Sequence, residues 1–138
     1  MPKRNKVVIF DDFWTVEDVK RYPYALFVYG DNDVKQGKGG QAIIRDLPNT
    51  IGIPTKKYPN NRPISFYTEG EYDQNIKKID QAIANIIKEA TKYRYVVFPE
   101  NGFGTGLARL PDKAPKTLDY LMKQVQLLKE KIEKSNVK

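Results

Sequence analysis

No cysteine and no histidine occurs among the 138 residues of this chain. Those two absences exclude more chemistry than any compositional average. Disulfides, the usual Cys/His zinc sites, thiol nucleophiles and every histidine-dependent triad are removed. Catalysis, where there is any, has to run on Asp, Glu, Lys, Tyr, Ser, Thr or backbone amides. A carboxylate-bound Mg²⁺ is compatible with the composition, but nothing in the sequence demands it, so no metal ligand and no cofactor is assigned. Long apolar runs are also missing, and none approaches the length of a bilayer span. The basic start, Met1 to Lys6, leads into a short strand-like run instead of a signal-peptide core. The expected setting is the cytoplasm, with no membrane partner.

Hydrophobic residues make up 40% of the chain, enough for a packed core, and the length suits one domain over residues 1–138. The net charge of +7 favours anionic partners, nucleic acid and nucleotides among them. Much of the excess lies in Lys123–Lys138, where Lys and Glu alternate as on a solvated helix face. Charge alone is a weak argument for a nucleic-acid role.

Apolar and polar segments alternate without repeats or low-complexity linkers. Val7–Phe10 reads as a first strand, and Thr15 with Asp18 has capping-box spacing for a brief helix ending before Pro23. Tyr24–Tyr29 (YALFVY) is almost wholly apolar, like a strand buried on both faces. Gln41–Asp46 reads as a short helix, Thr50–Ile53 as a small strand, and Ile64–Thr68 as another strand. The clearest helix runs from Tyr72 to Thr91, with Ile76, Ile79, Ile83, Ile86, Ile87 and Ala90 on one stripe. Arg94–Phe98 follows as a strand. A last helix, starting near Pro111–Pro115, carries Leu118, Leu121, Val125, Leu128 and Ile132 at helical spacing. The alternation predicts an α/β protein, a three-layer α/β/α sandwich around a mixed or mainly parallel sheet. Ligands of such folds bind beyond the carboxyl ends of the strands.

Two glycine-rich loops fall at such ends. The later one, after Phe98, carries Glu100, Asn101, Gly102, Phe103, Gly104, Thr105, Gly106 and Leu107. Alternating glycines permit positive φ and bring bare amides toward a ligand, and successive N–H groups make an anion nest. Thr105 offers a hydroxyl and Phe103 a surface for sugar or base. In the earlier loop, Gly30, Asp31 and Asn32 end the apolar strand, then Gly37, Lys38, Gly39, Gly40 and Gln41 open a helix. Neither run has Walker-loop spacing or the Gly-x-Gly-x-x-Gly fingerprint. A tight structural turn is the plain alternative for either alone. Together they predict one pocket for a nucleotide-type phosphate ligand.

Other residues carry weaker signals. Arg45 is placed either to clamp a phosphate or to pair with Asp46 or another surface carboxylate. Trp14 reads as a core or hinge filler. Tyr58, Tyr67 and Tyr72 mark a rim where one ring stacks on a base, or plain strand packing. Asp11 and Asp12 are adjacent, point to opposite sides of an extended chain and make a poor acid/base pair.

The order of these pieces resembles the macrodomains, α/β/α modules that bind ADP-ribose and related NAD-derived groups. The likeness is nearest the branch containing the terminal ADP-ribose glycohydrolase and the antitoxin that removes ADP-ribose from DNA. It rests on Gly30-Asp31, Gly37–Ala42, Ile53-Pro54-Thr55-Lys56-Lys57 and Pro99–Leu107, and covers Tyr24 to Leu121. The string GDN…GKGGQAIIRDLPN…GIPTK is also similar to small proteins frequent in tailed-phage genomes, which implies a host-cell cytoplasm.

The resemblance implies that Asp31 accepts a hydrogen bond from an adenine amino group. It implies that Gly39 and Gly40 cradle the distal ribose, that Gly102–Gly106 wrap the diphosphate, and that Lys56 or Lys57 is the nucleophile at the ribose. That branch places an acidic residue just after Gly-Leu, where this chain has Ala108-Arg109. Glu100 or Asp112 would have to substitute. A lysine nucleophile must lose its proton, which calls for burial or nearby cations; Lys56 and Lys57 adjoin, and Arg62 follows. Paired lysines on a loop otherwise stay solvated or bind phosphate as point charges. The expected function is binding of ADP-ribose or a related NAD-derived nucleotide, sequestering a signal in a phage–host conflict. ADP-ribosyl hydrolysis and a basic nucleic-acid-binding accessory role are the alternatives.

Overall fold

A computed structural model describes residues 6–11 and 13–134. Asp12, one of the adjacent carboxylates, and the basic segment 1–5 lie outside them. The apolar run becomes the central strand β2 (Ala25–Asn32), buried along almost its whole length. Beside it lie β3 (Thr50–Lys56) and β4 (Tyr95–Pro99), and β1 (Lys6–Phe10) flanks β4. The order is β1-β4-β2-β3, and all the strands are parallel. The mixed sheet allowed by the sequence is therefore a parallel one among the described residues. Antiparallel pairing is confined there to an isolated bridge between Lys56 and Phe66.

Parallel strands are covered on both faces, so their apolar residues come in succession rather than in alternation. Val28, Val96 and Phe98 face α2 (Tyr72–Ala90) and α4 (Pro115–Lys134), meeting Ile79, Ile86, Leu121, Val125 and Leu128. Ala25, Phe27, Tyr29 and Val97 join the other cluster, with Trp14, Val19 of α1 (Val16–Arg21), Ala42 and Ile44. Thr15 and Asp18 cap α1 reciprocally, each side chain accepting from the other's backbone N–H at 3.2 and 2.8 Å. The Trp14 ring stands edge-on to Phe27 at 5.6 Å, the core filler expected of it.

Two elements differ from expectation. Gln41–Asp46 does not form an α-helix; a 3₁₀ turn covers Gly40–Ile44, because so short a stretch before Pro48 cannot offset helix nucleation. Ile64–Thr68 is not a strand. Pro63, with fixed φ and no N–H, opens a 3₁₀ turn over Pro63–Ser65 that the Ser65 N–H closes on the Arg62 carbonyl. A single helical turn, α3 (Leu110–Lys113), precedes α4.

These connections position the site. After β2 the chain turns onto the Trp14 side, whereas after β4 it enters α3 and α4 on the opposite side. Neighbouring strands whose connections part in this way leave a crevice beyond their carboxyl ends.

Candidate functional site

The crevice is a cleft of about 920 Å³, within the range of small-molecule sites. Gly30, Asp31, Asn32, Gly37, Lys38, Gly39, Gly40, Gln41, Arg45, Thr55 and Lys56 line it. So do Glu100, Asn101, Gly102, Gly104, Thr105, Gly106 and Leu107 from the second loop. The two loops thus belong to one site.

Gln41 holds them together. Its Oε1 accepts from the Gly30 N–H at 2.7 Å, and its Nε2 donates to the Gly102 carbonyl, 61 residues away, at 2.8 Å. Trp14 Nε1 donates to the Gln41 carbonyl at 3.0 Å and anchors the bracing residue itself. The amides of Lys38, Gly39, Gly104, Thr105 and Gly106 make no hydrogen bond among the described residues, and all five residues line the cleft. Such N–H groups from two loops are the donors an anionic ligand needs. The Thr105 hydroxyl is turned back to the Asn101 carbonyl at 3.3 Å.

Asp31 and Arg45 form a buried ion pair, Nη1 to Oδ1 at 2.5 Å, with 6% and 10% of their side chains exposed. Arg45 also donates from Nε to the Gly37 carbonyl at 2.8 Å and from Nη2 to the Gln36 carbonyl at 3.1 Å. Its guanidinium shapes the first loop from within, rather than pairing with Asp46. That residue instead holds Lys38 at 2.9 Å. Tyr29 lies beneath, its ring 5.6 Å from Arg45 Cζ, and burial followed by the Asp31 charge pushes its pKa up to about 12.

An irregularity in β3 decides between the lysines. The register passes from Asp31–Pro54 to Asn32–Lys56, so Thr55 is an extra residue on that strand. Thr55 and Lys56 are both buried and both line the cleft, which regular alternation would forbid. The Thr55 hydroxyl donates to the Asp31 carbonyl at 3.1 Å. Lys57 does not line the cleft; its ammonium pairs with Glu71 at 2.6 Å. Burial, then the positive charge of Arg109, hold the Lys56 ammonium below the ordinary lysine pKa. The cation that contributes is Arg109, not the sequence neighbours Lys57 and Arg62. In an NMR titration of ¹³C-methylated lysines, the Lys56 signal is expected to titrate at lower pH than the exposed lysines. Arg109→Gln should move it partway back up, because removing a neighbouring cation favours the charged amine.

Several assigned residues sit elsewhere. Phe103 does not face a ligand: it is buried against Phe98, ring centroids 6.4 Å apart, because the loop closes over the core there. Tyr58, Tyr67 and Tyr72 do not line the cleft. Tyr67 is fully buried and donates to Asp33 at 2.5 Å, while Tyr72 packs edge-on against Tyr120. Asp112 lies outside the cleft, whereas Glu100 lines it. Among the described residues no group of Asp and Glu converges to hold a metal ion. No helix among them is long and apolar enough to cross a membrane.

Sequence reasoning missed Phe13, Gln36, Ile43 and Pro59, which also line the cleft. Phe13 had a usable signal, an aromatic just beyond the carboxyl end of a strand; it is 80% exposed. The model of a family described as a family of unknown function (DUF7831) matches residues 9–124. No curated protein and no solved structure matches the chain.

Proposed function

We propose that this chain, which belongs to that family of unknown function, binds ADP-ribose or a related NAD-derived nucleotide in the cleft between β2 and β4. One observation carries the proposal: two glycine loops bring amides without a hydrogen bond among the described residues to the lining of a single cleft. A diphosphate suits amides better than lysines, since its oxygens can accept from several N–H groups at once. Phe13, Ile43 and Leu107 give the rim apolar surface for a base and riboses. Asp31 Oδ1 is taken by Arg45 and by the Asn32 N–H, and Oδ2 accepts from the Tyr29 hydroxyl at 3.5 Å, so an adenine amino group would share Oδ2 with that hydroxyl. On this reading the helices on either side of the sheet are the outer layers of a three-layer α/β/α sandwich of macrodomain type. The cytoplasm, where such nucleotides occur, is the matching compartment.

Hydrolysis is a second reading favoured by one fact, the buried Lys56 with its lowered pKa in the cleft. Lys56 would be the nucleophile and Glu100 the carboxylate. Binding without turnover is preferred because buried Ala108 stands where the carboxylate is expected. Release of ADP-ribose from modified protein or DNA, lost in Lys56→Met, would add turnover to binding.

Calorimetric titration with ADP-ribose tests the proposal, with Gly106→Val as the control. Gly106 lines the cleft, and a Cβ there meets no atom within 4 Å. Valine should leave the melting temperature unchanged while reaching into the ligand's space. The expected result is binding by the wild type, weakened about tenfold or more by Gly106→Val, or ~1.4 kcal/mol. A wild type that ignores millimolar ADP-ribose ends the proposal.

A further inference from the structure

Three cations gather on one buried ring. Lys56 Nζ lies 4.8 Å from the Phe66 centroid, Lys113 Nζ 5.4 Å and Arg109 Cζ 5.8 Å. They come from the end of β3, from α3 and from the residue just before it. Among the described residues no carboxylate forms an ion pair with any of them. Lys56 is the most confined, 7% exposed, and its ammonium makes one hydrogen bond, to the Asn60 carbonyl at 2.9 Å. An ammonium carries three donors, so two are left. A buried charge without a counter-ion is costly, and the neighbouring Arg109 raises that cost. The ring face offsets part of it. Arg109 is also held at φ 51°, a left-handed conformation uncommon for a residue with a side chain.

We infer that Lys56, Arg109 and Lys113 around Phe66 form a seat for a phosphate group at one end of the cleft, separate from the amides of the glycine loops. Lys56 lines the cleft, as does Ala108, the residue before Arg109, whereas Arg109 and Lys113 are exposed outside that lining. A phosphoryl group presents oxygens on several sides and can take a guanidinium fork and two ammonium groups together. The ligand class is then a nucleotide bearing a phosphoryl group beyond its diphosphate. This deepens the proposed nucleotide binding and rests on it for the rest of the ligand. A polynucleotide backbone fits less well, because Lys56 is recessed in the cleft and a bulky strand cannot follow it there.

The test uses inorganic phosphate as probe, on the wild type and on a double variant, Arg109→Gln with Lys113→Gln. Binding is read from the methyl-lysine signal of Lys56, and ADP-ribose affinity is measured in parallel by calorimetry. Phosphate should shift the Lys56 signal in the wild type and bind about tenfold more weakly to the double variant. ADP-ribose affinity should stay within about twofold, and both proteins should melt alike. Equal phosphate affinity in the two proteins overturns the seat. An equal loss of ADP-ribose affinity overturns it as well, by making these cations part of the diphosphate cradle. If single-stranded DNA binds and depends on both residues while phosphate does not bind, a nucleic-acid surface replaces it. Phosphate binding without any ADP-ribose binding leaves the seat standing and removes the nucleotide proposal alone.

Discussion

Replacing Asp31 by alanine should lower the unfolding free energy by about 3 to 5 kcal/mol, the range for breaking a buried ion pair from one side. The Arg45 guanidinium would stay nearly enclosed and lose its counter-charge, while its bonds to the Gln36 and Gly37 carbonyls tie it in place. Denaturant unfolding with an unchanged m-value is the measurement. Replacing both partners, Asp31→Leu with Arg45→Met, should cost clearly less than the sum of the single changes, because no charge is left stranded. A near-zero loss in Asp31→Ala would mean the pair is solvated and the first loop is shaped by something else. Gly52 shows how tightly the carboxylate is packed: a Cβ there would come within 2.7 Å of Asp31 Cβ and Oδ2. A loss of ligand affinity in Asp31→Ala therefore has to be read beside its loss of stability.

The second large effect falls on Gly104. Alanine there should destabilise the protein by about 3 kcal/mol, and for a chain this size the melting temperature should drop by roughly 10 °C. Two causes add. The backbone holds φ at +80°, and an added Cβ would lie 2.3 Å from Leu110 Cδ1, a fully buried core side chain. The Gly104 carbonyl also accepts from the Leu110 N–H at 2.8 Å, so the loop cannot swing away cheaply. Gly106→Ala, two residues on, should be close to neutral. Differential scanning calorimetry of the two variants separates the roles: one glycine for the fold, the other for clearance. Similar melting temperatures would refute the distinction.

What could be read from the residues depended on the range of the interaction. The central strand, the capped first helix and both amphipathic helices are legible because apolar succession and periodicity are local signals. The joining of the glycine loops is legible for a related reason: both follow strands, and strand ends in a parallel sheet lie on one edge. Lys56 and Lys57 are not separable that way. Their difference rests on the extra residue Thr55, a matter of register between strands that no local pattern encodes. The sequence sets Arg45 beside surface carboxylates, whereas its partner is the buried Asp31 of β2. Phe103 illustrates the same limit. Glycines on both sides suggest an open loop, yet the ring is drawn inward by Phe98, whose position depends on the whole sheet. Ile64–Thr68 departs from the expected strand for a local reason, the proline just before it.

The Gln41 side chain has a consequence for how fast and how rigidly the cleft is occupied. Because one amide touches both loops, their spacing is set when the protein folds and is not left for the ligand to impose. The entropy of ordering two glycine-rich segments, each residue among the most flexible in the unfolded chain, is lost at folding rather than at binding. Such an aperture admits molecules of matching thickness with little rearrangement, and it cannot widen for larger ones without breaking one of the two bonds. Selectivity by size is thereby built into the framework, by a residue that also lines the cleft.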